Sequence, residues 1–285
     1  MSSTEKPAGV MLEVVSRARA VVDDRRPPVL FVHGMCHGAW CWEEHFLDYF
    51  ADLGWNAHAL SLRGHGSSCC PTDLRRSRIA DYVADLQAVA ASLPRSPVLV
   101  GHSMGGFVVQ KYLENNRVPA AVLLASMPPR GGLATPFIHR HFALLLYYLL
   151  RRRVLAVFGH PRRCREAFFS ADTPSAAVER YRHMLSEDSA RAIVDMLIAD
   201  RPVRRTHFPV PILVMGAADD GIFSTAQIRA TAAYYRTGAT IVERTGHDMM
   251  LESTWPTTAD HINNWLLQQL GDHRLRTGSV DPSVG

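Results

Sequence analysis

The sequence predicts an α/β protein: a mostly parallel sheet with helices on both faces and a helical cap inserted between two strands. Two observations predict it. Short apolar runs flanked by turn residues alternate with longer stretches of helical periodicity, as buried parallel strands and their crossovers do. The alternation stops between Met127 and Phe208, where helical patterns continue without a strand pattern, and then resumes.

The elements follow in order. Pro28–Val32 is a buried strand ending at His33-Gly34, and Trp42–Leu53 is a helix stopped by Gly54. Trp55–Leu60 is the next strand. Asp81–Leu93 is an amphipathic helix with Val83, Leu86, Val89 and Ala90 on one face. Pro97–Val100 is a strand, Phe107–Asn115 a helix, and Ala120–Ala125 a strand. After the cap come strands at Val210–Met215 and Ala239–Val242, then a closing helix over Ile262–Leu270. This divides the chain into core 1–126, cap 127–208, core 209–270 and a polar tail 271–285, expected to be disordered.

Composition sets the class. With 285 residues, 47% of them hydrophobic, the chain can bury a sizeable core and is too apolar for disorder. Met1–Gly9 has no basic start followed by an apolar run, so no secretory leader is expected. The longest strictly apolar stretch, Ala143–Leu150, is far below the ~20 residues of a spanning helix. Five cysteines without framework spacing read as free thiols, and a cytoplasmic location is expected. Of 31 basic residues 29 are arginines, yet a net charge of +4 without a binding motif does not indicate nucleic acid. The cap holds 14 arginines against seven acidic residues, so it is strongly basic and the remaining chain is acidic.

Chemistry enters at Gly101-His102-Ser103-Met104-Gly105, a G-x-S-x-G sequence directly after a strand and opening a helix. A serine on so sharp a turn projects its hydroxyl above the sheet, and it needs a base to take its proton. His247, after the last strand and before the last helix, is the candidate. His102 lies inside the turn, and His160, His183 and His207 lie in the cap. The acid is expected after the penultimate strand, where Asp219 and Asp220 compete. Asp219, three residues after Gly216, is the choice, with Asp220 read as a solvated loop residue and Asp248 as too close in sequence to His247. The oxyanion donors are expected to be the backbone N–H groups of Met104 and of Met35, in the loop after the first buried strand.

With His33-Gly34, Gly38–Trp42, Leu62–Ser67, the serine turn and Gly246-His247 in place, the chain resembles the α/β-hydrolase superfamily over nearly all of its length outside the cap. His37–Trp42 is similar to the esterase and hydroxynitrile-lyase branch, Arg63–Ser68 to lysophospholipase-like members. The resemblance implies an eight-stranded sheet and no cofactor, and it makes His65 a structural residue of a rim loop. Ser103 departs from the relatives that place aspartate at this turn, and Gly34 from the threonine of the lyases. The function expected is cleavage of a carboxylic ester or thioester through an acyl-enzyme. The alternatives are a cofactor-free perhydrolase, and a ligand-binding receptor or partner-binding protein that retains the triad.

The cap bears on substrate and partners. Phe137, Phe142, Leu145 and Tyr148, with neighbouring Ile138, Leu144 and Leu146, read either as an acyl tunnel or as ordinary cap core. Arg151–Arg153 with Arg162-Arg163 read either as a site for phosphate, coenzyme A, an acyl carrier or anionic membrane lipid, or as a solvated basic face. His139-x-His141 lacks a third ligand at suitable spacing, so no metal site is expected.

Overall fold

The structure is a computed structural model; it describes residues 10–19, 26–69, 72–131, 135–203 and 210–277. Among these, seven strands form one sheet: β1 (Val14–Arg17), β2 (Val29–Val32), β3 (Ala57–Leu60), β4 (Val98–His102), β5 (Ala121–Leu124), β6 (Ile212–Ala217) and β7 (Ala239–Val242). Their order is β1-β3-β2-β4-β5-β6-β7, and only the β1–β3 pairing is antiparallel. The mostly parallel, helix-covered sheet is as read from the sequence; the eight strands implied by the resemblance are seven here among the described residues.

The central strands β2, β4 and β5 are buried along their whole length, which is why they read as unbroken apolar runs. β1 escaped the sequence reading. It is a half-exposed edge strand, and Val14-Val15-Ser16-Arg17 is too short and too polar to stand out. β6 runs two residues beyond the strand read from the sequence, to Ala217.

Helices α1 (Trp40–Glu43) and α2 (Phe46–Asp52) replace the single helix expected there, because His45 leaves helical geometry at φ −144°. Gly54 ends α2 at φ +81°, as a stop residue should. α3 (Ile79–Ser92) and α4 (Met104–Tyr112) follow. Between β5 and β6 come only helices among the described residues: α5 (Pro136–Leu150), α6 (Leu155–Phe158), α7 (Pro161–Phe168), α8 (Ser175–Met184) and α9 (Ala190–Val194), which runs into a π-helical turn at Asp195–Ala199. α10 (Thr225–Tyr235) and α11 (Trp255–Thr277) complete the core. α11 corrects the expected tail boundary: its backbone stays helical from Gly271 to Thr277, since a lone helical glycine costs only about 1 kcal/mol. Residues 278–285 lie outside the described residues.

Two apolar clusters flank the sheet. One gathers Phe31, Trp42, Phe46, Phe50 and Trp55 with the insertion's Phe158 and Phe168; the other packs α3 and α4 on the opposite face. Phe168 and Phe158 therefore tie the insertion into the main core.

Candidate active site

All loops that carry the candidate residues leave the carboxyl ends of parallel strands, where open α/β sheets place their ligands. Ser103 follows β4, Met35 follows β2, Asp219 and Asp220 follow β6, and His247 follows β7. Adjacent strands thus converge on one edge.

Ser103 sits at φ +51°, ψ −115°, a strained conformation for a non-glycine residue and the one that a strand turning abruptly into α4 imposes. The two flanking glycines explain how the turn fits. A Cβ on Gly101 would lie 2.6 Å from the Gly105 carbonyl oxygen, and one on Gly105 would lie 2.4 Å from the carbonyl oxygens of Val32 and His33. Any side chain at either place would push α4 off the sheet.

The loop after β2 runs beside this turn. His37 N–H donates to the Gly34 carbonyl, and Cys36 takes φ +65° between them. A Cβ on Gly34 would come within 3.0 Å of Ser103 Cβ. It would also come within 2.7 Å of His102 Nδ1, so a side chain at position 34 would have to displace the His102 ring. Met35, Ser103 and Met104 line one cavity together. Met104 opens α4, so its N–H has no carbonyl one turn back to meet.

His247 Nδ1 is 2.9 Å from Asp220 Oδ2, with both side chains buried. The neighbouring oxygen, Asp220 Oδ1, accepts the N–H groups of Ile222 (2.7 Å) and Phe223 (2.9 Å). This corrects the choice of Asp219. β6 continues to Ala217, and the chain stays paired beyond it: Ala218 N–H donates to Val242 and Asp219 N–H to Thr245. Successive residues of extended chain point to opposite sides. Asp219 is accordingly exposed, and Asp220 turns inward to the histidine. Asp220-Gly221 before an apolar pair is an Asx-turn pattern, and that signal would have separated the neighbours.

A second buried layer supports the first. His102 Nε2 donates to the His247 carbonyl at 3.0 Å. Burial first, and then the nearby His247, push the His102 ring down to about 3, so it stays neutral. His37 meets Asp248 at 3.0 Å. Burial opposes charge on both, but their mutual attraction wins: His37 is raised and Asp248 lowered. Glu252 accepts the N–H groups of Gly246 (3.0 Å) and Ser170 (2.5 Å), joining the histidine loop to the insertion. The ligand atoms of His102, His247 and Asp248 lie within 4.8 Å of one another. A metal there would have to compete with the His102–His247 and His37–Asp248 hydrogen bonds. His139 and His141 are drawn into no such group: His141 faces Glu166.

His65 is buried and bonded as a structural residue would be. Its Nε2 is 3.1 Å from Asp188 Oδ2, and Asp188 also accepts Cys36 N–H (2.8 Å) and Tyr82 hydroxyl (3.1 Å). Burial works against this charged pair too, but each partner holds the other ionised: His65 is raised and Asp188 lowered. Asp188 was not read from the sequence; nothing in an isolated Glu-Asp-Ser stretch marks a carboxylate that reaches across to β2.

From Ser103 an apolar cavity of about 250 Å³ runs under the insertion. Phe137, Phe142 and Leu145 line it; Tyr148 does not, and instead packs edge-on against Tyr147. Ile138 and Leu146 line it too, and more of its wall comes from segments not singled out in the sequence: Val157 and Phe158 of α6, the π-helical turn, and Ile222-Phe223 after Asp220.

Comparison with known proteins bears on the family and the fold. The family model described as "Alpha/beta hydrolase family" matches residues 29–260. Methylesterase 2 of Arabidopsis thaliana is 29% identical over 125 residues, covering 42% of this chain and 47% of that protein. Esterase PIR7B of Oryza sativa subsp. japonica is 35% identical over 108 residues, covering 36% and 40%. The chain therefore spans about half the length, or less, of these curated relatives. A thermophilic esterase from Thermogutta terrifontis superposes with a TM-score of 0.71 at 20% identity, covering 93% of this chain and 96% of the other. The esterase EaEST from Exiguobacterium antarcticum gives 0.68 at 19% identity, covering 90% and 96%. With the family model matched from β2 into α11, and the serine turn, histidine loop and acid at the sheet edge, the chain belongs to the alpha/beta hydrolase family.

Proposed function

We propose that the protein is a serine hydrolase that cleaves a carboxylic ester or thioester with an apolar acyl group. The observation that carries this reading is the placing of Ser103, at its strained turn, in the wall of a cavity whose other lining side chains, Thr135 apart, are apolar. The relatives named as esterases support the reaction class.

In this reading Ser103 Oγ attacks the acyl carbon while His247 Nε2 takes its proton. Asp220 holds Nδ1–H, which fixes the tautomer and stabilises the imidazolium. The carbonyl oxygen becomes an oxyanion, held by the Met35 and Met104 N–H groups. His247 returns the proton to the departing alcohol or thiol, leaving the acyl group on Ser103. Water, deprotonated by His247, then attacks the acyl carbon; as the second tetrahedral intermediate collapses to the acid, His247 gives that proton to the departing Ser103 Oγ. The helical insertion acts as the lid that supplies the acyl pocket.

The test is a series of p-nitrophenyl acyl esters, with the matching thioesters, and labelling by a fluorophosphonate. Turnover and stoichiometric labelling are expected, both lost in Ser103→Ala. A receptor that retains the triad would bind such a ligand without turning it over, and that result would replace the hydrolase reading.

A further inference from the structure

The insertion presents an apolar face to solvent. On α5, Phe142 is 59% exposed, Leu146 44%, Tyr147 47% and Leu150 76%. These positions fall on one side of a helix. Ile198, on the π-helical turn, is 62% exposed. Phe142, Leu146 and Ile198 also line the cavity that reaches Ser103. The exposed patch and the pocket are therefore one continuous apolar surface, and α5 forms its rim.

Charge marks what this surface meets. α5 contains no acidic residue, and at its end stand Arg151, Arg152 and Arg153, all exposed. Among the described residues no carboxylate pairs with them; Arg151 only stacks over the Tyr147 ring. Four other arginines of the insertion do meet carboxylates: Arg140 with Glu166, Arg180 with Glu44, Arg182 with Glu179 and Arg191 with Asp195. A helix C-terminus favours one cation through its dipole. It does not account for three unpaired ones beside an exposed apolar face.

We infer that this face of α5, with Arg151–Arg153 beside it, docks on an anionic lipid bilayer and turns the mouth of the pocket toward the membrane. Among the described residues no helix is long and apolar enough to cross a membrane, so the contact is peripheral. The apolar side chains enter the interfacial region and the arginines meet lipid phosphates. Entry of substrate from the bilayer rests on the hydrolase reading; docking does not.

The experiment is vesicle flotation of the full chain, with neutral phosphatidylcholine or with phosphatidylcholine containing phosphatidylglycerol, at low and high salt. Wild type and Ser103→Ala should float equally with anionic vesicles, much less with neutral ones, and less at high salt. Arg151, Arg152 and Arg153 changed together to Gln should weaken partition by roughly ten- to a hundredfold. The same three changed to Lys should keep it, and Leu150→Ser should weaken it severalfold. None of these four residues lines the pocket, so turnover of a soluble short-chain ester should be unchanged, which reports that each variant is folded. Flotation that ignores lipid charge or the Gln changes would overturn the inference. So would failure to float with a dimer that Leu150→Ser dissociates, which would give this face to a second copy. Capture of an acyl carrier protein without flotation would likewise replace the bilayer with a protein partner. Loss of ester turnover in Ser103→Ala with flotation intact keeps the two readings separable.

Discussion

At the scale of single residues the decisive contact is His247 Nδ1 to Asp220, and its neighbour provides the control. Asp220→Asn should lower kcat by roughly 10⁴-fold, because the amide presents the wrong group to the imidazole and releases its tautomer. Asp219→Asn, exposed and one residue away, should change kcat less than about threefold, within the range of ordinary surface substitutions. Steady-state kinetics of both variants check this, and a large effect at 219 with a small one at 220 would contradict the hydrogen bond seen here. His102 makes a different prediction. Its folded pKa lies below its unfolded value, so in acid the unfolded chain takes up a proton that the fold refuses. Stability is then lost as pH falls below about 6.5, the loss levelling off near the folded value of about 3. His102→Gln keeps a donor for the His247 carbonyl and does not titrate. Between pH 7 and 4.5 it should lose less stability than wild type, by on the order of 2 kcal/mol, in urea melts across that range.

At the scale of elements, the insertion is bolted to the site at its base. Asp188 holds the Cys36 N–H next to the Met35 oxyanion candidate, and Ser186 N–H donates to the Cys36 carbonyl. On the other side Asp248 N–H donates to the Phe168 carbonyl, and Glu252 gathers Ser170, Thr173 and Gly246. Asp188→Ala would strand the buried Cys36 N–H and leave His65 without its carboxylate, at a cost of several kcal/mol. We expect a lower melting temperature and a kcat reduced about tenfold or more with KM little changed, because the loop that presents Met35 loses its anchor. Asp188→Asn should fall between the two, since its amide oxygen can still accept from Cys36. These anchors were hidden in the sequence for a physical reason. Strands such as Val29–Val32 announce themselves because burial on both faces demands an apolar run, and the serine turn because close approach demands Gly101 and Gly105. Asp188 and Glu252 are single polar residues whose partners lie 152 and 82 positions away, and no local pattern encodes such a meeting. The same holds for the pocket: Phe137 and Leu145 stood out within an apolar helix, whereas Ile222 and Phe223 enter it only through the turn that Asp220 makes.

At the scale of the whole molecule, the cavity joins core and insertion, and its size should set which acyl groups are cleaved. Its walls are almost wholly apolar, so each methylene that leaves water for the pocket should contribute about 0.8 kcal/mol. Where that contribution is realised in the transition state, kcat/KM should rise about threefold to fourfold per carbon until the pocket is full, and then level or fall. The position of the maximum is a property of the walls and can be moved. Leu145 lines the cavity and packs at the edge of the main core cluster, so Leu145→Trp would fill part of the space without adding charge. Turnover of acetyl and propionyl esters, which stay near Ser103, should change little, while the optimum shifts to shorter chains. Leu145→Ala should extend it in the other direction and lose some stability to the enlarged cavity. A chain-length series of p-nitrophenyl esters on the three proteins decides the matter. Parallel profiles, displaced only in height, would mean that the acyl chain does not run beneath α5.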